Sequence, residues 1–356
     1  MFRPLTTQLV GSYAKPAWLT RPTRMYASDG SWWRPDLDVL NAARADAARL
    51  AIADQERAGL DLLTDGEQWR QNYASHFYTR LLGVDATRFA AKERTSTLAT
   101  VTRRVESIEE TALRNRAPRI VGELGWPGPL AVDELRFLKR QTRKPVKATV
   151  VGPLTALYFL KDEHYGDEER AAMALAAVLN RELRALDAEG ADLLQVDEPC
   201  FHTQLAWARR FGVAALNRMV EGVRTPVVVH ACYGYAYYVE HKEANPAYAE
   251  CLTLLAACDI WGMSIEYEQP GHTPDLLTHC GDKHVVLGLL DLGTEETEAV
   301  AHVATRLREA LAVVPPERLH PAPDCGMWHL PRDVAFAKLR ALVLGAETLR
   351  NERGLP

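Results

Sequence analysis

Two residues apart, at the end of a valine-rich run, stand a histidine and a cysteine, His230 and Cys232. If PVVVHACYG (226–234) is a strand, both side chains point to one face. Two later apolar runs carry further metal-capable residues: Glu266 closes IWGMSIE (260–266), and Cys325 lies in RLHPAPDCG (318–326). Imidazole, two thiolates and a carboxylate suit Zn2+, which accepts nitrogen, sulfur and oxygen donors tetrahedrally. Two thiolates make the metal electron-rich, which favours a bound thiolate that stays nucleophilic over a strongly acidified water. An exchangeable carboxylate would let a substrate sulfur enter, so the chemistry implied is thiol alkylation rather than hydrolysis. A lone His-x-Cys at a strand end usually packs or satisfies a carbonyl. The coincidence of several strand ends is what argues for a metal.

A second set of polar residues also ends apolar runs: Ser12, Glu67, Asp197, Glu198 and Asp291. Glu67 and Asp197 can neutralise an ammonium, and the turn of Val10, Gly11 and Ser12 offers backbone N–H groups and a hydroxyl to a carboxylate. Each alone has an ordinary alternative as an internal salt bridge or cap. Together they describe a site for an amino-acid thiol, with Glu67 and Asp197 as its candidate catalytic carboxylates.

The elements that must position these residues are legible as an alternation. Eight short apolar runs, most of them ending abruptly in Gly, Asp, Glu or Pro, read as strands: 7–12, 60–67, 146–153, 191–199, 226–234, 260–266, 284–291 and 318–326. Helical periodicity fills most intervals, as at 36–59, 168–190 and 297–314. This predicts an α/β fold, a (βα)8 TIM barrel, whose active site lies at the C-terminal ends of its strands. The competing doubly wound sheet lacks a G-x-G-x-x-G after its first strand. The interval from about 85 to 145 is too long for a βα connection and holds two more extended stretches, TSTLATVTRRVES and RAPRIVGEL. It is read as a β-hairpin insertion between strands 2 and 3 of a single domain spanning 1–356.

Composition narrows the function classes. A 356-residue chain with 47% hydrophobic residues can bury a substantial core, and a formal net charge of −5 with scattered Lys and Arg argues against a nucleic-acid partner. No segment resembles a signal peptide or a membrane span, so a cytoplasmic protein without membrane association is expected. Six cysteines without a C-x-x-C pair point to reduced thiols rather than a disulfide scaffold.

The ordered motifs VGS (10–12), DGE (65–67), VGP (151–153), QVDEP (195–199), HACYG (230–234), SIE (264–266) and PDCGM (323–327) resemble the C-terminal catalytic barrel of the cobalamin-independent methionine synthases. The resemblance covers nearly the whole chain and suggests a short, single-domain, core-type member. It implies zinc on His230, Cys232, Glu266 and Cys325, and homocysteine held by Ser12, Glu67 and Asp197, with methionine as the product of S-methylation. The donor side departs from the family pattern. The family's proton-donating His falls at Gly293, its folate-stacking Trp at Phe159, and a folate-contacting Glu at Thr203, while Arg114 lies near a folate-contacting Arg. This implies small-molecule substrates with a methyl donor other than polyglutamyl methylfolate, such as a corrinoid or a methyl-carrier protein. His202 and His329 are nearby replacements for the missing acid, against the ordinary reading of packing histidines. Aromatic clusters at 28–36 and 232–241 suit either a donor mouth or lid packing.

Two alternatives have other chemistry. A thiol alkyltransferase of the epoxyalkane to coenzyme M kind keeps the zinc, but Glu67 and Asp197 would repel a sulfonate. A barrel with a purely structural zinc would hold its ligands on adjacent loops instead of at several strand ends.

Overall fold

The computed structural model describes residues 2–92, 101–103 and 107–356. Its centre is a six-stranded parallel sheet in the order Leu319–Ala322, His284–Gly288, Gly262–Ile265, Val227–Ala231, Leu193–Asp197, Lys147–Val151. Each strand is followed by helical chain that returns it to the same starting edge, the right condition for parallel pairing. Backbone contacts extend the sheet at both ends. Leu63 bridges Val146, Leu62 bridges Gln8, and the Gln8 N–H donates to the Pro321 carbonyl at 3.1 Å.

Six of the eight runs thus form ladders, whereas 7–12 is held by one isolated bridge and 60–67 by two. The physical reason lies at their ends, where the chain turns to present site residues. Glu67 sits at φ 55°, a left-handed conformation costly for a residue with a Cβ.

Alternation divides the strand residues between two faces. Leu62, Leu193, Val228, Val286 and Ala322 form a small inner cluster, while Leu194, Val196, Val227 and Val229 pack with the helices. Deleting one inner leucine, for example Leu193→Ala, costs about 2–5 kcal/mol by the usual cavity rule. The outer helices Leu37–Ala58 and Glu168–Glu189 lie close to the expected spans 36–59 and 168–190, and a third, Arg332–Arg353, follows the last strand. Asp167 caps the second through the Arg170 N–H, and Gly190 ends it at φ 81°. The helix expected over 297–314 is shorter, Val300–Ala310.

In the long interval, Arg116–Gly125 pairs antiparallel with Leu82–Ala91 and parallel with the short Lys161–Asp162. Of the other expected extended stretch, 93–100 and 104–106 lie outside the described residues, and Val101–Arg103 pairs antiparallel with Val239–Lys242. Helix Val132–Gln141 packs against Leu37–Ala58 and Glu168–Glu189 among the outer helices. All six cysteines are buried and unbridged. Among the described residues, no helix is long and apolar enough to cross a membrane.

Candidate active site

The parallel register sets the site. Asp197 lies beside His230, and His230 beside Ser264, at the C-terminal ends of three neighbouring strands. Cys232 and Glu266 follow the ends of their strands directly, and Cys325 follows Leu319–Ala322 by three residues. One phenol ties two of these ends together. Tyr248 donates to the Ala231 carbonyl at 2.7 Å and accepts the Glu266 N–H at 3.0 Å.

The ligand atoms of His230, Cys232 and Cys325 lie within 4.8 Å of one another, and all three residues are buried. Ser264 Oγ meets His230 Nδ1 at 3.0 Å, while the buried His230 Nε2 has no nitrogen or oxygen partner among the described residues and has the Cys325 sulfur beside it. A buried orphan ring nitrogen beside two sulfurs is what a metal would satisfy, and the donor set suits zinc. Hydrogen bonding with Cys232 and burial push the Cys325 thiol well above its usual range, a cost that a cation would remove.

Glu266, the fourth expected ligand, does not join this group. Both its oxygens accept from Lys242 Nζ, at 2.9 and 2.8 Å, and both side chains are fully buried. The Tyr233 N–H also reaches Glu266 Oε1, at 3.3 Å. Burial works against the Lys242 ammonium, but the charge and hydrogen bond of Glu266, together with the nearby sulfurs of Cys325 and Cys232, outweigh it and keep the amine above its ordinary value.

Above the cysteines opens a cavity of about 970 Å3, including its mouth. Val10, Gly11, Ser12, Glu67, Asp197, His230, Cys232 and Cys325 line it, joined by Arg114, Phe159 and Thr203 from the side assigned to the donor. Ser12 Oγ is buried and has no hydrogen-bond partner among the described residues. Two glycines make room: a Cβ at Gly11 would fall 2.5 Å from Glu67 Oε1, and one at Gly326 would fall 2.2 Å from Ser12 Oγ. Thr149 Oγ1 donates to Glu67 Oε1 at 2.9 Å, and Arg70 holds Thr149 from behind at 2.7 Å.

Asp197 is oriented from beneath. Lys147 Nζ donates to Gln8 Oε1 and Gln195 Oε1, both at 2.9 Å, and to the Leu9 carbonyl. Gln195 turns its amide nitrogen to Asp197 Oδ1 at 2.7 Å. Burial, reinforced by the charge of Glu67, raises Asp197 to about 6. Burial lowers Lys147 to about 7 against the pull of Asp197 and Glu67.

Gly293 is not on the cavity wall. The space a side chain would take there is filled by the Gln269 amide, 2.5 Å from the position of a Cβ. His202, buried, and His329, half-buried, both lie off the wall. His202 sits edge-on to Tyr233 and Tyr248, and His329 meets the Leu292 carbonyl at 3.1 Å. Burial lowers both to about 4, so they are packed neutral rings rather than proton carriers facing the cavity. The two aromatic clusters pack together: Trp32, Trp33, Tyr238 and Trp328 form one core, while Tyr26, Tyr235 and Tyr238 edge the cavity.

Sequence reasoning missed Tyr73, which meets Tyr235 edge-on at 5.6 Å on the wall, and the buried lysines Lys147 and Lys242. A lysine inside an otherwise apolar strand, as in VKATVVGP, is the signal that marks Lys147. Lys242 ends an aromatic run and carries no such mark.

The description "Cobalamin-independent synthase, Catalytic domain" matches residues 5–348. A protein named methionine synthase from Thermococcus kodakarensis is 31% identical over 349 residues, covering 98% of this chain and 94% of that one. Its counterpart in Sulfolobus acidocaldarius is 29% identical over 353 residues, covering 98% and 93%. Among solved structures, a B12-independent methionine synthase from Shewanella sp. W3-18-1, in complex with selenomethionine, is 31% identical with a TM-score of 0.84, covering 98% of this chain and 99% of that one. The fold, the ordered strand-end motifs and these matches agree, and the chain belongs to the cobalamin-independent methionine synthase family.

Proposed function

We propose that this chain is a zinc-dependent S-methyltransferase that converts homocysteine to methionine. One observation carries the reading: a His230, Cys232, Cys325 cluster opens into the same cavity as Ser12, Glu67 and Asp197. A metal cluster alone would suit many thiols. Paired with two buried carboxylates, it suits a thiol that also bears an ammonium.

His230, Cys232, Cys325 and Glu266 would hold the zinc, which lowers the thiol pKa and keeps the sulfur nucleophilic. Glu67 and Asp197 bind the α-ammonium, and Ser12 with the Val10–Ser12 turn receives the α-carboxylate. Anchoring both groups aims the sulfur at the methyl carbon, so orientation rather than acid–base chemistry is this chain's main contribution. The same carboxylates disfavour a sulfonate-bearing thiol.

We read the sheet as a closed eight-stranded barrel in one domain, a reading supported by the Gln8 to Pro321 hydrogen bond, with the antiparallel pairing around 82–125 as part of the insertion. The donor is read as other than polyglutamyl methylfolate, because Thr203 and Gly293 lack the groups that the family pattern places there. A corrinoid or a methyl-carrier protein would then supply the methyl group.

The zinc K-edge absorption spectrum tests the core of this proposal. Adding homocysteine should add one sulfur to the metal's ligands, and an unchanged spectrum overturns the reading. Assays with methylcobalamin and with methylfolate mono- and polyglutamates identify the donor.

A further inference from the structure

Glu266 is the metal-capable residue that the structure finds elsewhere, with both oxygens on Lys242. The ammonium arrives from outside the parallel sheet. Its strand, Val239–Lys242, pairs only with Val101–Arg103 among the described residues, and Ala244 just beyond is tied to the Pro270 carbonyl at 3.1 Å. We propose that Lys242 is the positioning residue that receives Glu266 when a substrate thiolate takes its place on the metal. The inference rests on the zinc reading above and assigns a partner to its exchangeable ligand.

Charge explains why a partner is needed. A dication with neutral imidazole, two thiolates and a carboxylate carries one negative charge, which Lys242 cancels. After exchange, the metal with three thiolates carries one negative charge and the freed carboxylate a second; Lys242 cancels the carboxylate, so the site carries one net negative charge, that of the thiolate that entered, instead of two. One metal–oxygen bond breaks and one metal–sulfur bond forms. The thiol proton goes to bulk solvent, and Glu266 leaves ionised. Without Lys242 the departing carboxylate would be buried with the Tyr233 N–H as its remaining partner, and burying an unpaired charge opposes the exchange.

The test compares zinc-loaded wild type, Lys242→Met, Lys242→Arg, Glu266→Gln and the double variant Lys242→Met/Glu266→Gln, each titrated with homocysteine and followed by zinc X-ray absorption and calorimetry. Wild type should exchange one oxygen for one sulfur. Lys242→Met should keep two sulfurs and bind homocysteine roughly ten- to a hundredfold more weakly, the size of a lost charged hydrogen bond. Lys242→Arg should restore part of the exchange. The double variant removes the buried pair entirely and remains foldable where Lys242→Met alone is not; it should match Glu266→Gln within about twofold. Two results overturn the inference while leaving the zinc reading intact: a third sulfur in Lys242→Met at wild-type affinity, or an equal loss of affinity on removing Lys242 in the Glu266→Gln background. Wild type that gains no sulfur overturns both.

Discussion

The floor of the cavity and its mouth are built by different means. On the floor, Asp197, His230, Cys232 and Cys325 stand at or just past the ends of parallel strands, buried, with directions set by the ladder beneath them. At the mouth, Tyr26 follows a short 3-10 turn, Arg114 ends a seven-residue helix, and Phe159 ends another. Those residues reach the cavity from separate segments that share no sheet. Under the proposed function, thiol chemistry would rest on residues held by the sheet, and donor recognition on segments that can be exchanged without disturbing it. The departures at Phe159 and Thr203 fall on that exchangeable side, whereas of the expected amino-acid contacts Asp197 stands on a ladder strand, and Ser12 and Glu67 stand where their runs turn out of the sheet beside it.

Substitutions can break this contrast. The largest effect is expected at Cys325. Cys325→Ser should lower activity at least about a thousandfold, given the several kcal/mol that a bound metal supplies. Metal analysis should show lost zinc while circular dichroism shows a retained fold; loss of fold together with zinc would make the ion structural. Next, Asp197→Asn should weaken homocysteine binding roughly ten- to a hundredfold by removing half of the ammonium's countercharge. An unchanged dissociation constant would remove Asp197 from the site.

Acid should mimic that substitution. Burial and Glu67 hold Asp197 near 6, so its charge, and with it ammonium binding, is present above that pH and lost below it. Methionine carries the same amino-acid end without a titrating thiol, and its affinity should fall about tenfold between pH 7 and pH 5. A flat profile, matching that of Asp197→Asn, would assign the ammonium to another group. Gly11→Ala should follow with a several-fold loss, since its Cβ would meet Glu67 Oε1 at 2.5 Å. The smallest effect on the thiol side belongs to the mouth. Arg114→Ala and Phe159→Ala should leave the homocysteine dissociation constant within about twofold while raising the KM for the donor. A large loss of homocysteine affinity in either would dissolve the distinction between floor and mouth.

Legibility in the sequence follows the same division. A strand has a side-chain period of two and an abrupt end, so His230, Cys232 and Asp197 announce both their face and their position. The runs at 7–12 and 60–67 looked like strands for the same reason. Their backbones leave the ladder early because site residues such as Glu67 need a turn there. Loops have no period. Nothing in the spacing of Tyr73 or Lys242 tells which strand end it will meet, because that depends on how segments far apart in sequence fold over the cavity. Glu266 is legible as a metal donor from its place at a strand end, yet its partner here, Lys242, comes from Val239–Lys242, a strand outside the parallel sheet whose alternation does not tell which strand end it will meet. His202 and His329 looked available because of their neighbours in sequence, whereas packing turns both away from the cavity.

Lys147 gives the floor a further property. An amide has one accepting end and two donating hydrogens, and Gln195 has its oxygen committed to the lysine below. Its nitrogen must therefore face Asp197, so the residue converts a cation beneath into a hydrogen-bond donor above. Exchange Lys147 for methionine and the amide is free to reverse, presenting a carbonyl to a carboxylate that needs a donor. The direction of one side-chain amide, fixed by the lysine beneath it, decides which way the Asp197 carboxylate looks.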